Sequence, residues 1–206
     1  RYAHRPSSLA PIAHLIATQF NQCPGNYMAF FSSYDYLQHA VRALKSAHPD
    51  IPVWQQSRKM DEFERQGFLD RFTHSSQGIG FAVLGGAFGE GIDLPGDRLI
   101  GAFIATLGQP QINPINEQIR DRMETMFGRG FDYTYLYPGM QKVVQAAGRV
   151  IRTQQDTGVV YLIDDRFNQP AIRKLLPTWW QVQRHRLPPK PAPLMLLPVT
   201  PLSADD

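Results

Sequence analysis

Cysteine is almost absent from this chain, which carries Cys23 as the single thiol among its 206 residues. One thiol excludes a disulfide within the chain and a zinc site built from cysteines, and it suits a protein that works in a reducing cytosol. Long apolar runs are absent as well, because none approaches the roughly 18 residues of a membrane-spanning helix. We therefore expect no membrane partner.

Charge of one sign is not in large excess either. The formal net charge of +3 is compatible with a polyanionic partner, but it is far from the dense basic surface of an autonomous nucleic-acid-binding domain. The Gly-Lys-Ser/Thr ending of a phosphate-binding P-loop does not occur. Because the sequence starts without an initiator methionine or a secretory pattern, we expect it to be part of a longer chain.

The chain does contain an alternation of strand-like and helix-like segments, with 43% hydrophobic residues. Short apolar runs predict strands, and apolar residues at three- and four-residue spacing predict helices. The predicted strands are 27–31, 51–55, 78–84, 97–106 and 158–163, and the predicted helices are 7–20, 36–47, 61–72, 115–127, 138–152 and 171–183. This order predicts an α/β fold with helices on both faces of a mostly parallel sheet.

The segment 145–152, Gln-Ala-Ala-Gly-Arg-Val-Ile-Arg, is the most informative stretch. On a helix, Gln145, Arg149 and Arg152 fall on one face, and two guanidinium groups projected together suit phosphate oxygens. Gly148 lacks a Cβ, which would let another backbone or a ligand come close. From spacing alone, the alternative is a solvated face with weak ion pairs.

The segment 85–96 has five glycines in twelve residues, so its backbone must adopt unusual dihedral angles or come close to another group. Its glycine spacing matches neither a dinucleotide-binding fingerprint nor a P-loop. The acids Glu90 and Asp93 lack a third ligand, so no metal site is predicted. A flexible loop is the alternative interpretation.

Ser32, Ser33 and Tyr34 connect a predicted strand to a predicted helix. Hydroxyl groups in such a loop point the same way as the free N–H groups of the helix start, which favours phosphate binding. The alternative is that the two serines only cap the helix.

Three further segments carry polar or aromatic groups. The segment 109–137 combines cations with aromatic rings that could stack bases and hold phosphates, or that pack and are solvated: Arg120, Arg122, Arg129, Phe131, Tyr133 and Tyr135. Asp164 and Asp165 end a predicted strand, where acids can bind magnesium or cap the next helix. Trp179 and Trp180 are expected to seal a core edge, and 187–200 is expected to be an extended proline-rich arm.

The order Gln-x-x-Gly-Arg-x-x-Arg at 145–152 resembles motif six of superfamily-two helicases, in the form found in the DinG/Rad3/XPD group. Phe-Gly-Glu-Gly-Ile-Asp-Leu-Pro-Gly at 88–96 resembles motif five of this group, and Phe-Phe-Ser-Ser-Tyr at 30–34 resembles motif four. The likeness is to the carboxy-terminal motor domain, of the bacterial DinG or YoaA type. It implies a RecA-like three-layer domain at 1–178, with an insertion at about 109–137, and a helix end and proline-rich tail at 179–206.

The resemblance implies three sets of site residues. The catalytic set, whose arginines would reach the γ-phosphate of ATP, is Gln145, Arg149 and Arg152. The nucleotide-binding set, in which Asp93 would approach the ribose or magnesium, is Glu90, Gly91, Asp93 and Gly148. The set that would contact single-stranded DNA is Ser32, Ser33, Tyr34 and Gly86.

The function implied by the resemblance is half of an ATP-driven DNA helicase that translocates on single-stranded DNA and unwinds duplexes in repair or replication. ATP and Mg²⁺ would be bound mainly by the first motor domain, because this sequence also lacks an Asp-Glu-Ala-His element. An iron-sulfur cluster is possible in the parent chain but not here. The implied protein is a cytoplasmic monomer. The alternatives are a stand-alone nucleic-acid-binding domain without motor activity and an unrelated phosphate-binding α/β enzyme.

Overall fold

Five parallel strands form the centre of the fold in the computed structural model, which describes residues 5–86, 88, 94–151 and 157–184. The strands are β1 (Asn26–Phe31), β2 (Val53–Gln55), β3 (Gly78–Val83), β4 (Gly101–Ala105) and β5 (Val159–Leu162). Their order across the sheet is β2-β3-β1-β4-β5, and every pair is parallel. Ala29 of β1 is aligned with Phe81 on one side and with Phe103 on the other. The prediction of a parallel sheet is confirmed.

Helices alternate with these strands along the chain. They are α1 (Arg5–Gln22), α2 (Tyr34–Ala47), α3 (Glu62–Leu69), α4 (Pro114–Phe127), α5 (Tyr137–Ala147) and α6 (Pro170–Arg173). The side chains of Ser33, Asp61 and Asn113 accept hydrogen bonds from the first turns of α2, α3 and α4, which satisfies free N–H groups there.

Side chains of β1 alternate between two hydrophobic layers, as expected for a strand covered on both faces. Tyr27, Ala29 and Phe31 are buried with α1 and α2, whereas Met28 and Phe30 are buried with α3 and α5. The second layer also contains Phe88 and Leu94, which flank residues 89–93. The helices on both faces were predicted, and this arrangement confirms them.

Two glycines in β3 make room for large rings of the second layer. A Cβ on Gly78 would lie 2.3 Å from the Trp54 ring, and one on Gly80 would lie 2.6 Å from the Phe72 ring. Trp54 and Phe72 meet edge to face, with their ring centroids 5.0 Å apart. The rings of Trp54 and Phe72 therefore lie close to the backbone of β3 because these positions have no side chain.

Several predicted elements differ from the structure. The helix predicted at 61–72 ends earlier, at Leu69, and its buried residue is Phe68, whereas Phe63 is 87% exposed. The strand predicted at 158–163 is β5, an edge strand whose residues are half-buried because it has a single neighbour. The helix predicted at 171–183 ends at Arg173, and Pro177 cannot continue a helix there.

Two helical segments also differ from expectation. The helix predicted at 7–20 begins earlier, at Arg5, so Pro11 lies inside α1, six residues after its start. Between the helices predicted at 115–127 and 138–152 lies a π-helix, Asp132–Leu136, that leads directly into α5. Such i→i+5 turns leave no periodic pattern in a sequence, so they cannot be read from it.

Among the described helices, none has both the length and the apolar character needed to cross a membrane.

Candidate nucleotide and nucleic-acid site

The predicted DNA-side residues lie where parallel strands end. Ser32 and Ser33 directly follow β1, and Gly86 follows β3, which is the neighbour of β1. β3 lies on one side of β1 and β4 on the other. The segments that follow the strands therefore leave the carboxyl end of β1 on either side. Ligands bind at such points in open α/β sheets. The structure therefore brings these residues to one edge of the sheet.

Ser33 has a structural role that the sequence left open. Its backbone is extended, and its hydroxyl oxygen accepts a hydrogen bond from the Tyr36 N–H at 3.3 Å, so it is the N-cap of α2. The capping interpretation is therefore confirmed for Ser33. The hydroxyl hydrogen is still available as a donor, because capping uses only the oxygen lone pair.

Tyr34 is half-buried, and one face of its ring is covered. The guanidinium carbon of Arg58 lies 4.7 Å from the ring centroid, and Arg58 also pairs with Asp35. The Tyr34 hydroxyl accepts a hydrogen bond from Gln38 at 3.2 Å. A base could therefore stack on that ring face only if Arg58 moved.

Gly85 and Gly86 form an exposed turn after β3. Gly85 has φ 76°, a conformation that favours glycine, and the Gly86 N–H donates to the Val83 carbonyl at 3.2 Å. The Lys142 side chain lies across this turn, with its Cδ atom 2.8 Å from the place of a Cβ on Gly85. Sequence reasoning missed Lys142, although it lies three residues before Gln145 and so on the same helical face.

Helix α5 begins at the same edge of the sheet. A Cβ on Gly139 would lie 2.5 Å from the Leu107 carbonyl oxygen, so α5 packs tightly against the segment that follows β4. Gln145 is exposed near the end of α5, and Arg149 is half-buried beyond it. The structure therefore carries Lys142, Gln145 and Arg149 on successive turns of one segment.

The predicted helix 138–152 is wrong at its end, because α5 stops at Ala147. Residues 148–150 form turns, in which the Arg149 N–H donates to the Ala146 carbonyl at 3.2 Å and the Val150 N–H to the Ala147 carbonyl at 3.0 Å. Gly148 disfavours continuation of the helix, and Val150 is buried against Gly158. Arg149 therefore lies on a tightened turn and not on a regular helix face.

No other part of the described chain approaches Gly148 closely. A Cβ there would meet only the carbonyl oxygens of Val144 and Gln145, at 3.2 and 3.4 Å. The expected close approach of another backbone is therefore absent from the described residues, and the approach of a ligand stays a prediction. Four predicted site residues lie outside the described residues: Glu90, Gly91, Asp93 and Arg152.

The acids after β5 have a structural role. The Asp164 carboxylate accepts a hydrogen bond from the Arg166 N–H at 3.0 Å and caps the short 3₁₀ helix Asp165–Asn168. It also accepts two hydrogen bonds from the Arg166 guanidinium, at 2.8 and 2.7 Å. Burial tends to raise the pKa of Asp164, but the hydrogen bonds and charge of Arg166 outweigh it and hold that pKa below its usual value.

Two arginines and one buried tyrosine of the segment 109–137 form ion pairs or hydrogen bonds within the segment. Arg120 pairs with Glu117 and Asp121, and the buried Tyr135 donates to Glu117 at 2.6 Å. Arg129 donates to the Tyr137 hydroxyl at 3.3 Å. Exposed apolar and aromatic side chains remain on this segment: Ile112, Ile115, Ile119, Met126, Phe127, Phe131 and Tyr133.

Trp179 and Trp180 meet edge to face, and Trp180 packs against the core next to α6. Trp180 therefore has the expected place at a core edge, whereas Trp179 is 39% exposed. With the residues that follow them, they line a groove of about 990 Å³ along the outer edge of β5. Its described lining contains none of the predicted site residues.

Comparison with known proteins identifies the family. A family model described as the helicase C-terminal domain matches residues 16–183. The ATP-dependent DNA helicase chl-1 of Caenorhabditis elegans is 31% identical over 185 residues, which is 84% of this chain and 22% of that helicase. The probable ATP-dependent helicase MJ0942 of Methanocaldococcus jannaschii is 30% identical over 159 residues, 69% of this chain and 24% of its own length. The chain thus spans under a quarter of these relatives.

The fold is shared with a solved structure named XPD_APO. The TM-score is 0.64 at 19% sequence identity, and the match covers 80% of this chain and 33% of that one. The RecA-like fold expected from the resemblance is therefore confirmed. By the family match and by these relatives, the chain belongs to the helicase C-terminal domain family, within the DinG/Rad3/XPD group of superfamily-two helicases.

Proposed function

We propose that this chain is the second motor domain of an ATP-dependent DNA helicase, which couples ATP hydrolysis to translocation on single-stranded DNA and to duplex unwinding in repair or replication. The relatives named above as ATP-dependent helicases support this proposal. The motor domain would comprise residues 1–178, with 109–137 as an insertion, and 179–206 would follow as a tail. The whole protein would act as a cytoplasmic monomer of the DinG or YoaA type.

The observation that carries the proposal is the position of Gln145 and Arg149. Both follow the tightly packed start of α5, and backbone hydrogen bonds fix the turn that bears Arg149. A guanidinium on a fixed backbone can stabilise charge that develops on a transferred phosphoryl group without reorganisation. Arg149 and Arg152 would act on the γ-phosphate of ATP, and Gln145 would sense it.

Nucleotide binding would need a second domain. ATP with Mg²⁺ supplies the phosphoryl group and the charge that neutralises its oxygens. The described residues contain no cluster of three or more side chains that could hold a metal ion. As the missing P-loop and Asp-Glu-Ala-His element suggest, ATP and Mg²⁺ would be bound mainly by the first motor domain, and Glu90, Gly91, Asp93 and Gly148 would complete the nucleotide side. An iron-sulfur cluster, if the parent protein has one, would lie outside this chain.

Single-stranded DNA would cross the carboxyl edge of the sheet. Ser32, Ser33, Tyr34 and Gly86 would contact its backbone, and their position after β1 and β3 supports this proposal. The capping role of Ser33 is compatible with it, because the hydroxyl hydrogen can still be donated to a phosphate oxygen. Opening and closing of the cleft during hydrolysis would move this edge along the strand.

DNA-stimulated ATP hydrolysis tests the proposal in a protein that carries both motor domains. Arg149→Ala and Arg152→Ala should each reduce hydrolysis by more than about a hundredfold, or about 2.7 kcal/mol of transition-state stabilisation, while binding of single-stranded DNA persists. Arg42→Ala is the control, because Arg42 is exposed on α2. Unchanged hydrolysis in both arginine variants would refute the catalytic role. This chain alone should not hydrolyse ATP.

A further inference from the structure

Lys142 lies across the ends of two strands that flank β1. Its Cδ, Cε and Nζ atoms are 2.8, 3.1 and 3.2 Å from the place of a Cβ on Gly85, which follows β3. Its Cβ atom is 3.4 Å from the place of a Cβ on Gly108, which follows β4. Because β1 lies between β3 and β4, the Lys142 side chain spans the carboxyl end of β1.

The backbone on both sides accommodates this lysine. Gly85 and Gly108 have φ of 76° and 66°, so both turns use conformations that favour glycine. A side chain on Gly85 would displace the Lys142 stem. The stem therefore lies directly over the Gly85 turn, which places the ammonium group at the edge where Ser32 and Ser33 follow β1.

The ammonium group has no carboxylate partner in the described part of the chain. A lysine whose stem lies along a turn, with no counter-ion among the described residues, presents a positive charge at this edge of the sheet. The ligand that suits such a charge is an anion, and lysine is a common binder of phosphate as a point charge.

We propose that Lys142 binds a backbone phosphate of single-stranded DNA. This inference rests on the proposed function, and it adds a residue to the DNA side of the site. On an α-helix, Gln145 lies about 4.5 Å further along the axis than Lys142, and Arg149 follows on the turn after the end of α5. One segment would then contact DNA through Lys142, in the middle of α5, and ATP through Gln145 and Arg149 at and beyond its end.

The test measures the affinity of the full helicase for a fluorescently labelled oligothymidine at several salt concentrations. Lys142→Met keeps an apolar stem over Gly85 and removes the charge. It should weaken binding several-fold at low salt, and the slope of log K against log salt should fall in magnitude by about 0.7, the value for one lost phosphate contact on a single strand. Lys142→Arg should restore both quantities.

A control variant and a folding check accompany the comparison of Lys142→Met with the wild type. Lys45→Met removes an exposed lysine from the last turn of α2, at the other end of that helix from Ser33, and should leave the slope unchanged. Thermal unfolding checks that each variant is folded. The inference is overturned if Lys142→Met behaves like Lys45→Met. It is also overturned if Lys142→Met weakens ATP more than ADP while DNA binding is unchanged, because the phosphate would then belong to the nucleotide.

Failure of this inference can be separated from failure of the proposed function. If Arg149→Ala and Arg152→Ala abolish hydrolysis while Lys142→Met binds DNA normally, only the role of Lys142 is wrong. If hydrolysis survives both arginine variants while Lys142→Met lowers the salt slope, Lys142 binds DNA in a protein whose catalytic assignment is wrong. If the wild type binds no single-stranded DNA, both ideas are wrong.

Discussion

Arg166 connects the ends of two neighbouring strands through Gln109, to whose side-chain oxygen its Nη1 donates a hydrogen bond at 2.9 Å. Arg166 follows β5 and Gln109 follows β4. The backbone of Gln109 is also packed against Gly139 at the start of α5. The guanidinium therefore helps to fix the segment on which the helix with Lys142 and Gln145 rests.

Arg166→Ala should destabilise the chain by about 2 kcal/mol. The Asp164 side chain is only 7% exposed, so its carboxylate would lose the hydrogen bonds that compensate for burial. Urea unfolding measures the difference. Arg58→Ala is the control, because the Arg58–Asp35 pair is 64% and 71% exposed and should contribute less than about 1 kcal/mol. Equal losses in the two variants would show that burial of Asp164 does not matter.

The Asp164–Arg166 pair also predicts that the free energy of unfolding depends on pH in the acid range. The folded pKa of Asp164 lies below its usual value, so the folded state binds fewer protons there than the unfolded state. Its contribution to stability is present above the unfolded pKa and is lost as the pH falls through the folded pKa. Stability of the wild type and of Arg166→Ala, measured by urea unfolding from neutral to strongly acidic pH, should converge. A constant difference would contradict the assigned cause.

Gly85→Ala should destabilise the chain by about 1 to 2 kcal/mol. Alanine disfavours the φ of 76°, and its Cβ would collide with the Lys142 stem. Gly67→Ala is the matched control, because Gly67 lies inside α3 and a Cβ there would meet nothing within 4 Å. It should stabilise the chain by about 0.5 to 1 kcal/mol. If thermal unfolding shows the same sign for both, the strain assigned to Gly85 is wrong.

The strands of the sheet could be predicted well because each one is a short apolar run that can be recognised in the local sequence. The apolar run at β1 and the glycine-bounded run at β3 differ from the structure by one residue each. Alternate burial in two layers is what such continuous apolar runs require. The order of the strands across the sheet could not be read, because it depends on contacts between residues distant in the chain.

The site was predicted less completely. Gln145 and Arg149 were singled out by their order in a motif, and their roles stay predictions. The end of α5 at Ala147 depends on burial of Val150 against Gly158, which no local pattern indicates. Lys142 was not singled out, because its position over the turns at Gly85 and Gly108 depends on contacts between distant parts of the chain. The contact between Arg166 and Gln109 joins residues that are far apart in sequence, so spacing could not predict it.

Tyr27 predicts a loss of stability at alkaline pH. It is fully buried, its hydroxyl donates to the Cys23 carbonyl at 2.6 Å and accepts from Gln19 at 3.1 Å, and burial raises its pKa to about 12. The unfolded pKa is about 10, so the folded state binds more protons in this range. The contribution is therefore complete below pH about 10 and is lost as the pH rises towards the folded pKa.

Tyr27→Phe tests this assignment by urea unfolding between neutral pH and the alkaline limit. At neutral pH the variant should lose about 1 kcal/mol, because the Cys23 carbonyl loses its donor. The difference from the wild type should shrink as the pH rises, since only the wild type must ionise a buried phenol. Tyr133→Phe, at an exposed ring, should follow the wild-type profile. Parallel profiles for the wild type and Tyr27→Phe would show that the buried hydroxyl does not govern alkaline unfolding.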